Sequence, residues 1–458
     1  MKPFTLRDAL NAVGGRYFGD EAALDAAIDR VTSDSRTAGP GALFIALKGT
    51  RVDGHDFMAG CIRSGAVACL TEREPAPEER PTIQVESTLR ATGALAAWHR
   101  GRFDIPVIGI TGSVGKTTTK EMIAAVLGQR FNTHKTQKNL NNELGVPWTL
   151  MRLDDEHQVS VVEMGISDFG EMRRLTNMVR PTVAVFSVIG DAHLEFLGDR
   201  EGVMRAKGEI FEGMGENGLA VLNGDDPIQR KCHPGMRRVT YGLSEGCDVR
   251  GGDVRNLGED GMRMTISHSG GAFEVSIPAF GSHLASAALA AAAVGLALGL
   301  TGEEIAGGIA NYQTVGDRAR IIHAGGITIV SDCYNANPNS CQAAVDSLMQ
   351  LHGARRVCIL GDMLELGPRS EALHRSVGEY AAKAGVDLVV GCGPLSRAIA
   401  EGAKAAGGDV MYFEDKARLI ASLDDVIRPG DCVLVKASHS MAFEAIVQEM
   451  AGGMISFQ

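Results

Sequence analysis

One glycine-rich segment constrains the fold of this chain more than any other. Residues 107–120 have the sequence Val-Ile-Gly-Ile-Thr-Gly-Ser-Val-Gly-Lys-Thr-Thr-Thr-Lys. An apolar run, a glycine turn and a helix that opens on Lys-Thr predict a β-strand followed by a phosphate-binding loop. The turn is a shortened variant, because the strict pattern requires glycine where Ile110 stands. The alternative interpretation is an ordinary strand-to-helix turn with a chance Gly-Lys-Thr.

The loop predicts which residues contact a nucleotide. Its backbone N–H groups and the helix N-terminus suit phosphate oxygens. We expect Lys116 to reach the β- and γ-phosphates and the Thr117 hydroxyl to hold Mg²⁺. The full set of predicted phosphate contacts is Gly112, Ser113, Val114, Gly115, Lys116, Thr117 and Thr118.

Composition narrows the class of protein. A length of 458 residues suggests about three domains. The net charge of −11 argues against nucleic acid as the main partner. The nine cysteines form no Cys-x-x-Cys pair, which favours a reducing cytoplasm. The apolar run Leu284–Leu300 is slightly short for a membrane span and predicts a buried helix, so we expect no membrane insertion.

Apolar strands alternating with helical stretches predict an α/β fold of three domains. Residues 1–100 form a small α/β domain, residues 101–315 a central doubly wound, mostly parallel sheet, and residues 316–458 a second, Rossmann-like sheet. Residues 248–280 have the glycine turns of short antiparallel strands. The main predicted strands are Gly41–Leu47, Ala66–Leu70, Val159–Glu163, Val183–Val188, Leu219–Leu222, Ile327–Ser331, Val357–Leu360, Leu388–Gly391 and Cys432–Lys436.

Three ionisable residues follow the phosphate loop at or near strand ends. Glu163 ends one strand, His193 follows the next, and Lys207 lies in a helical stretch. Ligands of doubly wound sheets bind beyond the carboxyl ends of the strands, so the carboxylate and imidazole suit a Mg²⁺ site there. Each residue taken alone is more typical of an ordinary solvated or hydrogen-bonded position than of a functional one.

Polar clusters in the outer domains are weaker signals. Thr32–Arg36 and Lys48–Phe57 suit a pyrophosphate or nucleotide-sugar group, but capped turns have the same composition. Asp332–Ser340 directly follows a strand, as ligand-binding loops often do. Arg318 lies near a domain boundary, where it reaches a phosphate only if the third domain closes on the second.

Taken together and in order, these segments resemble the Mur ligase family, which builds peptidoglycan precursors. The resemblance covers nearly the whole chain. It rests on Ser33–Arg36, Asp53–Phe57, Gly112–Thr119, Asn139–Pro147, His193–Glu195, Ala206–Ile210, Tyr334–Pro338, Gly361–Gly367 and Val435–Ser438. The runs Asn-Asn-Glu-Leu-Gly-Val-Pro, Tyr-Asn-Ala-Asn-Pro and Gly-Asp-Met-Leu-Glu-Leu-Gly indicate the member that adds D-alanyl-D-alanine. The Asp-Asn-Pro-Arg run of the paralogue that adds the third amino acid is missing.

The resemblance implies an ATP-dependent amide ligase that adds D-alanyl-D-alanine to UDP-N-acetylmuramoyl-tripeptide through an acyl phosphate. It implies a cytoplasmic enzyme of peptidoglycan precursor synthesis. We expect this enzyme to be a monomer. The first domain would bind the UDP part, the second ATP, and the third would complete the ATP site and bind the dipeptide. The implied substrate contacts are Ser35, Arg36, Lys48, Asp53, His55, Asn141 and Asn142.

The resemblance also assigns the chemistry around ATP. It implies two Mg²⁺ ions, with Thr117, Glu163, His193 and a carbamylated Lys207 as metal contacts. Lys116, His193, Lys207 and Arg318 are the implied catalytic residues, Arg318 at the γ-phosphate, and His283, Asp332 and Asn335 are implied ATP contacts. One departure stands out: the family's His-Asn-x-x-Asn is here His283 with Leu284 and Ala287 in place of the amides.

Rival functions remain open on the residues alone. A paralogous ligase or a folylpolyglutamate synthase has the same fold, and a P-loop switch or ATPase would hydrolyse ATP without an acceptor amine. A dinucleotide-binding oxidoreductase is disfavoured, because Lys-Thr follows the turn where Gly-x-Gly-x-x-Gly would be needed.

Overall fold

The computed structural model describes residues 1–50, 52–232, 234–279, 281–314 and 319–452. Within them, strands and helices form three successive α/β units, and the predicted fold class is confirmed. The predicted boundary at 315/316 lies outside the described residues. Among the described residues, no helix has both the length and the apolar character needed to cross a membrane.

The first unit contains a small sheet of strand order β2-β7-β6-β5-β4, in which β2 alone runs antiparallel to its neighbour among the described strands. A separate antiparallel pair, β1 and β3, lies beside it. The strands are β1 (Phe4–Thr5), β2 (Arg16–Phe18), β3 (Ala27–Ile28), β4 (Arg30–Thr32), β5 (Ala42–Ile45), β6 (Ala68–Thr71) and β7 (Thr82–Gln84). The helices are α1 (Leu6–Val13), α2 (Met58–Arg63) and α3 (Thr88–Arg100).

The middle unit is built on a sheet of order β16-β15-β14-β13-β12-β11-β8-β10-β9. It is parallel from β9 to β14 and antiparallel from β14 to β16. The strands are β8 (Val107–Thr111), β9 (Thr133–Lys135), β10 (Val159–Glu163), β11 (Val183–Phe186), β12 (Leu219–Asn223), β13 (Arg237–Gly242), β14 (Val249–Asn256), β15 (Met262–His268) and β16 (Gly271–Ile277). The helices are α4 (Lys116–Leu127), α5 (Gly145–Leu150), α6 (Glu171–Val179), α7 (Leu194–Leu197), α8 (Arg200–Gly208), α9 (Pro227–Arg230), α10 (Ser282–Ala297) and α11 (Gly302–Ala310).

The last unit has the order β17-β18-β22-β19-β20-β21, parallel except for the β17–β18 hairpin. The strands are β17 (Arg320–Ala324), β18 (Ile327–Ser331), β19 (Arg355–Gly361), β20 (Leu388–Cys392), β21 (Val410–Phe413) and β22 (Asp431–Lys436). The helices are α12 (Pro338–Met349), α13 (Ser370–Lys383), α14 (Arg397–Ala405), α15 (Lys416–Ala421), α16 (Leu423–Val426) and α17 (Glu444–Ala451).

The central parallel strands are buried on both faces because helices cover them. Every residue of β8, β10 and β11 is buried, as the continuous apolar runs of these strands predict. The alanine-rich α10 is buried against α4, which confirms the predicted buried helix in place of a membrane span. The carboxyl ends of β8, β10 and β11 therefore meet at one sheet edge, where the chain leaves the core and polar side chains become available for ligands.

Candidate active site

The phosphate loop begins where β8 ends. Gly112 and Gly115 have φ angles of +146° and +81°, which side-chain-bearing residues rarely adopt. A Cβ on Gly112 would also lie 2.0 Å from the Ser187 Oγ. The Ser113 N–H donates to the Val188 carbonyl over 2.7 Å, so the loop is fastened to the segment that follows β11.

Predicted residues converge on the Glu163 carboxylate at the end of β10. The Thr117 hydroxyl donates to its Oε2 over 2.9 Å, and the Asn141 amide donates to its Oε1 over 2.8 Å. Lys116, at the start of α4, donates from Nζ to the Gly112 carbonyl over 2.9 Å. Glu163 is buried, so this carboxylate is held in one orientation beside the loop.

A buried charge network lies behind Glu163. The Lys120 ammonium lies 2.9 Å from the Glu121 carboxylate and 3.8 Å from Glu163 Oε2. It also donates to the Thr136 carbonyl over 2.9 Å. Burial raises the pKa of Glu121, but hydrogen bonds from Lys135 and Lys120 outweigh it and hold that pKa below its usual value. The ammonium groups thus offset the negative charge buried under the loop.

His193 lies across the loop from Glu163, just before α7. Its backbone is left-handed, with φ +54°, a conformation that costs a non-glycine residue about 1–2 kcal/mol. Its Nδ1 lies 2.6 Å from Glu365 Oε2, off the direction of a hydrogen bond, and has no hydrogen-bond partner among the described residues. Burial, and next the Lys207 ammonium, lowers the pKa of His193.

Lys207, in α8, is fully enclosed by protein. None of the described carboxylates lies within ion-pairing distance of its Nζ, although the charge of Glu171 acts on it. Burial, and next the neighbouring Lys116 ammonium, lowers the pKa of Lys207 well below the usual lysine value. Its amine is therefore readily neutral, which makes it a potential nucleophile.

The last unit closes the opposite wall of the site. Lys436, the final residue of β22, donates from Nζ to Asp332 Oδ2 over 2.5 Å and to the Asn335 carbonyl over 2.8 Å. His283, at the start of α10, faces the same region, and burial lowers its pKa. Leu284 and Ala287, which stand where the resemblance implies two amides, are both buried.

These groups line a cleft of about 580 Å³ between the middle and last units. Among the residues predicted for the site, its lining includes Ser113, Val114, Gly115, Lys116, Thr117, Thr118, Asn141, Asn142, Glu163, His193, His283, Asp332 and Asn335. Lys207 is buried in α8 and is not among the described residues that line the cleft. Arg318 lies outside the described residues.

The residues predicted for the site in the first unit do not line that cleft. Among the described residues, the first unit contributes Leu89 to the lining. His55 is buried, and its Nε2 accepts from the Glu72 N–H over 3.1 Å. Its Nδ1 therefore carries the proton and donates to Asp53 over 2.6 Å. Arg36 is exposed and pairs with Asp34 at 2.7 Å.

Sequence reasoning missed several lining residues. Glu171, Tyr334 and Lys436 all face the cleft. Lys436 has a detectable signal in the sequence, because it directly follows an apolar run within β22. A charge at the end of a buried strand needs a partner, which indicates a polar site there. Glu171 begins a helix and has no comparable signal in the sequence.

Three family models match successive parts of the chain. Residues 27–100 match the Mur ligase family catalytic domain, residues 110–295 the Mur ligase middle domain, and residues 317–439 the Mur ligase glutamate ligase domain. Together with the relatives described next, these matches show that the chain belongs to the Mur ligase family, whose members are ATP-dependent ligases that form peptide bonds.

Particular relatives match over their full length. The chain is 40% identical to the UDP-N-acetylmuramoyl-tripeptide–D-alanyl-D-alanine ligase of Escherichia coli K12, over 98% of this chain and 99% of that protein. The fold matches a crystal structure of MurF from Acinetobacter baumannii with a TM-score of 0.91, at 32% identity and 99% coverage of each chain. A MurF ligase from Thermotoga maritima, solved in complex with ADP, matches with a TM-score of 0.83 at 30% identity, over 92% of this chain and 97% of that one.

Proposed function

We propose that this chain joins D-alanyl-D-alanine to the terminal carboxylate of UDP-N-acetylmuramoyl-tripeptide and converts ATP to ADP and phosphate. The observation that carries the proposal is the convergence of the phosphate loop, Glu163 and His193 with Asp332 of the last unit at one cleft. The full-length similarity to D-alanyl-D-alanine ligases supports the same acceptor.

ATP would bind with its phosphates on the loop. The backbone N–H groups of Gly112–Thr118 and the N-terminus of α4 favour phosphate oxygens, and Lys116 adds a positive charge. The base and ribose would lie toward His283, Asp332 and Asn335, which form the far wall of the cleft. Leu284 makes that wall apolar where the resemblance implies an amide, so apolar contact and the polar groups of the last unit would hold the base.

The residues present fit a divalent cation at the terminal phosphates. Thr117 and Glu163 offer oxygen ligands, and His193, which lines the cleft, offers an imidazole nitrogen. No cluster of three His, Cys, Asp or Glu side chains suited to a metal occurs in the described part of the chain. That scarcity suits Mg²⁺, which usually binds one or two carboxylates and completes its shell with phosphate and water. When bound, Mg²⁺ neutralises charge on the transferring phosphoryl group.

Lys207 is proposed to carry a carbamate and to hold a second Mg²⁺. Carbon dioxide adds to a neutral amine with loss of one proton, and the depressed pKa of Lys207 favours that neutral form. The product exchanges a cation for an anionic oxygen ligand beside His193, which also removes the repulsion between Lys207 and Lys116.

The chemistry proceeds in two steps. A tripeptide carboxylate oxygen attacks the γ-phosphorus, the bond to the ADP oxygen breaks, and an acyl phosphate forms. The dipeptide amine then attacks the carbonyl carbon, phosphate leaves with the bonding electrons, and the amine loses a proton. Lys116 offsets the repulsion between two anions in the first step. Arg318 is assigned the same role from the sequence alone.

Further contacts of the substrates are proposed on the outer units. The UDP group would bind the first unit near Ser35, Arg36, Lys48 and the Asp53–His55 turn, where Arg36 is exposed and His55 stiffens the turn from inside. Asn142 would contact the peptide part, while Asn141 orients Glu163.

The nine cysteines carry free thiols, which suits the reducing cytoplasm proposed for this reaction. The monomeric state stays a prediction.

The test measures ADP release and product mass with UDP-N-acetylmuramoyl-tripeptide, with and without D-alanyl-D-alanine. We expect ADP and a nucleotide pentapeptide only when both substrates are present, with Lys116→Ala inactive and the exposed Lys404→Ala unchanged. Tripeptides ending in lysine and in diaminopimelate are assayed side by side. ADP release without any acceptor, or release only with diaminopimelate or glutamate as the amine, would overturn the proposal.

A further inference from the structure

The last unit reaches the middle unit's phosphate site through one carboxylate. Glu365 lies in the loop that follows β19, and its Oε2 lies 2.6 Å from the His193 Nδ1. Both residues have left-handed backbones, with φ +61° for Glu365 and +54° for His193. The contact joins the two α/β units at the residue that the proposed function places beside the cation.

Neighbouring contacts fix where Glu365 arrives. The Asp191 N–H donates to Asn339 Oδ1 over 2.9 Å, which joins the segment before His193 to the start of α12. On the other side, a Cβ added to Gly367 would lie only 3.1 Å from the Glu195 Cα, so this loop lies directly against α7. Glu365 lies between these two contacts and therefore depends on the seating of the last unit on residues 190–195.

The two nitrogens of His193 face different environments. Nδ1 is buried and faces Glu365, while the residue itself lines the phosphate cleft. The negative charge of a carboxylate this close to Nδ1 favours the proton on that nitrogen even outside hydrogen-bond geometry, which leaves the lone pair of the other nitrogen for a metal. The sequence run that contains Glu365, Gly361–Gly367, is not used by any other step of the proposed reaction.

We propose that Glu365 is a positioning residue, which acts through His193 and prepares this imidazole for the cation only when the last unit is seated on the middle unit. This inference rests on the proposed function, because it takes His193 to be a metal contact. Seating of the last unit and cation binding are then coupled, and each strengthens the other to the same degree.

The test measures Mn²⁺ binding to the full chain in the presence of ADP, from the free Mn²⁺ signal in electron paramagnetic resonance. Nitrogen modulation of the spin echo reports whether a histidine nitrogen ligates the ion. We expect Glu365→Ala to weaken Mn²⁺ binding about 10–100-fold and to reduce the nitrogen modulation. Glu365→Gln keeps an acceptor for the Nδ1 proton and should lose less.

The matched control is Glu371→Ala, which removes an exposed carboxylate of α13 and should leave both signals unchanged. Glu365 is half-exposed, so its variants should fold, and thermal unfolding checks this. Wild-type Mn²⁺ affinity in Glu365→Ala, or a wild-type protein without nitrogen modulation, would overturn the inference. Failure of the proposed function is seen in a separate assay, as ADP release by the wild-type chain that does not depend on D-alanyl-D-alanine.

Discussion

At the scale of single residues, the site is governed by charges that burial makes costly. Lys207 has no described carboxylate at ion-pairing distance, and Lys116 and His193 lie within electrostatic reach of its ammonium. A buried cation without a counter-ion is unstable relative to a neutral or modified form. The surroundings of Lys207 therefore favour a neutral amine, which is the form that the proposed carbamate requires.

Replacing this side chain tests that reasoning. Lys207→Ala should lower kcat by about 10²–10³-fold, because it removes the proposed carbamate ligand of a cation that stabilises the transferring group. A short carboxylate such as acetate or propionate, added to the assay, should restore part of the rate by entering the space left free. Lys404→Ala, which changes an exposed lysine, should keep full activity and show no response to the added acid. Normal turnover of Lys207→Ala would contradict the role.

The sequence predicted site residues well where the signal is local to a strand end. Thr117 and Glu163 were predicted separately and lie in hydrogen-bond contact, because parallel strands bring their carboxyl ends to one edge. Lys436 and Glu171 were missed, since their place in the cleft depends on packing between distant segments. The sequence could not show that His55 turns inward, because a capped turn and a ligand loop have the same composition.

At the scale of secondary-structure elements, two buried histidines join neighbouring elements. His99, in α3, donates from Nε2 to the Leu153 carbonyl over 3.1 Å, and His134, in β9, lies 2.9 Å from the Ser160 hydroxyl of β10. Burial lowers the pKa of His99 to about 4 and that of His134 to about 3. Both imidazoles stay neutral in the folded chain at pH values where the unfolded chain is already protonated.

These pKa values predict acid sensitivity with a defined direction. The folded pKa values lie below the unfolded value of about 6.5, so stability is full above that pH. As the pH falls from about 6.5 to 4, each histidine should cost about 1.4 kcal/mol of unfolding free energy per pH unit. The unfolding free energy of His134→Gln, measured by urea unfolding at several pH values, should depend less steeply on pH, by the equivalent of about one proton. His352→Gln, at an exposed position, should keep the wild-type slope, and equal slopes in all three proteins would contradict the prediction.

Helix packing in the last unit predicts a second element-level effect. A Cβ added to Gly378 of α13 would lie 1.9 Å from the Ile399 carbonyl oxygen of α14. Gly378→Ala should therefore lose about 1–3 kcal/mol of unfolding free energy, although alanine is the better helix former. Gly60→Ala in α2 has open space around the new Cβ and should gain up to about 1 kcal/mol. Urea titrations measure both, and a stabilised Gly378→Ala would refute this packing.

Most strands followed from their apolar runs. Val159–Glu163 was predicted with its observed bounds, and the antiparallel strands within residues 248–280 are confirmed. The predicted strand Val183–Val188 ends earlier, at Phe186, because the chain turns there toward the phosphate loop. Thr133–Lys135 and Arg237–Gly242 were missed, since these short, charged segments pair at sheet positions that only the assembled topology provides.

At the scale of the whole molecule, the middle and last units share part of one buried apolar cluster and are also joined by polar contacts. Asn256 donates to Gln350 over 2.6 Å, and the Asp191 N–H donates to Asn339. Polar interfaces within a chain favour relative motion of the units, because water replaces their hydrogen bonds at little cost. A cleft with walls on two such units can open for substrates and close for chemistry.

Closure predicts a ligand-dependent change in shape. With a non-hydrolysable ATP analogue and UDP-N-acetylmuramoyl-tripeptide together, small-angle scattering should give a smaller radius of gyration than the ligand-free chain has. The reason is that the phosphates would join the loop of the middle unit to residues such as Asn335 of the last unit. Lys116→Ala, which removes a positive charge proposed to bind the nucleotide phosphates, should show a much smaller change at the same ligand concentrations. An unchanged radius for the wild-type chain at saturating ligands would mean that the cleft is already closed before the substrates bind.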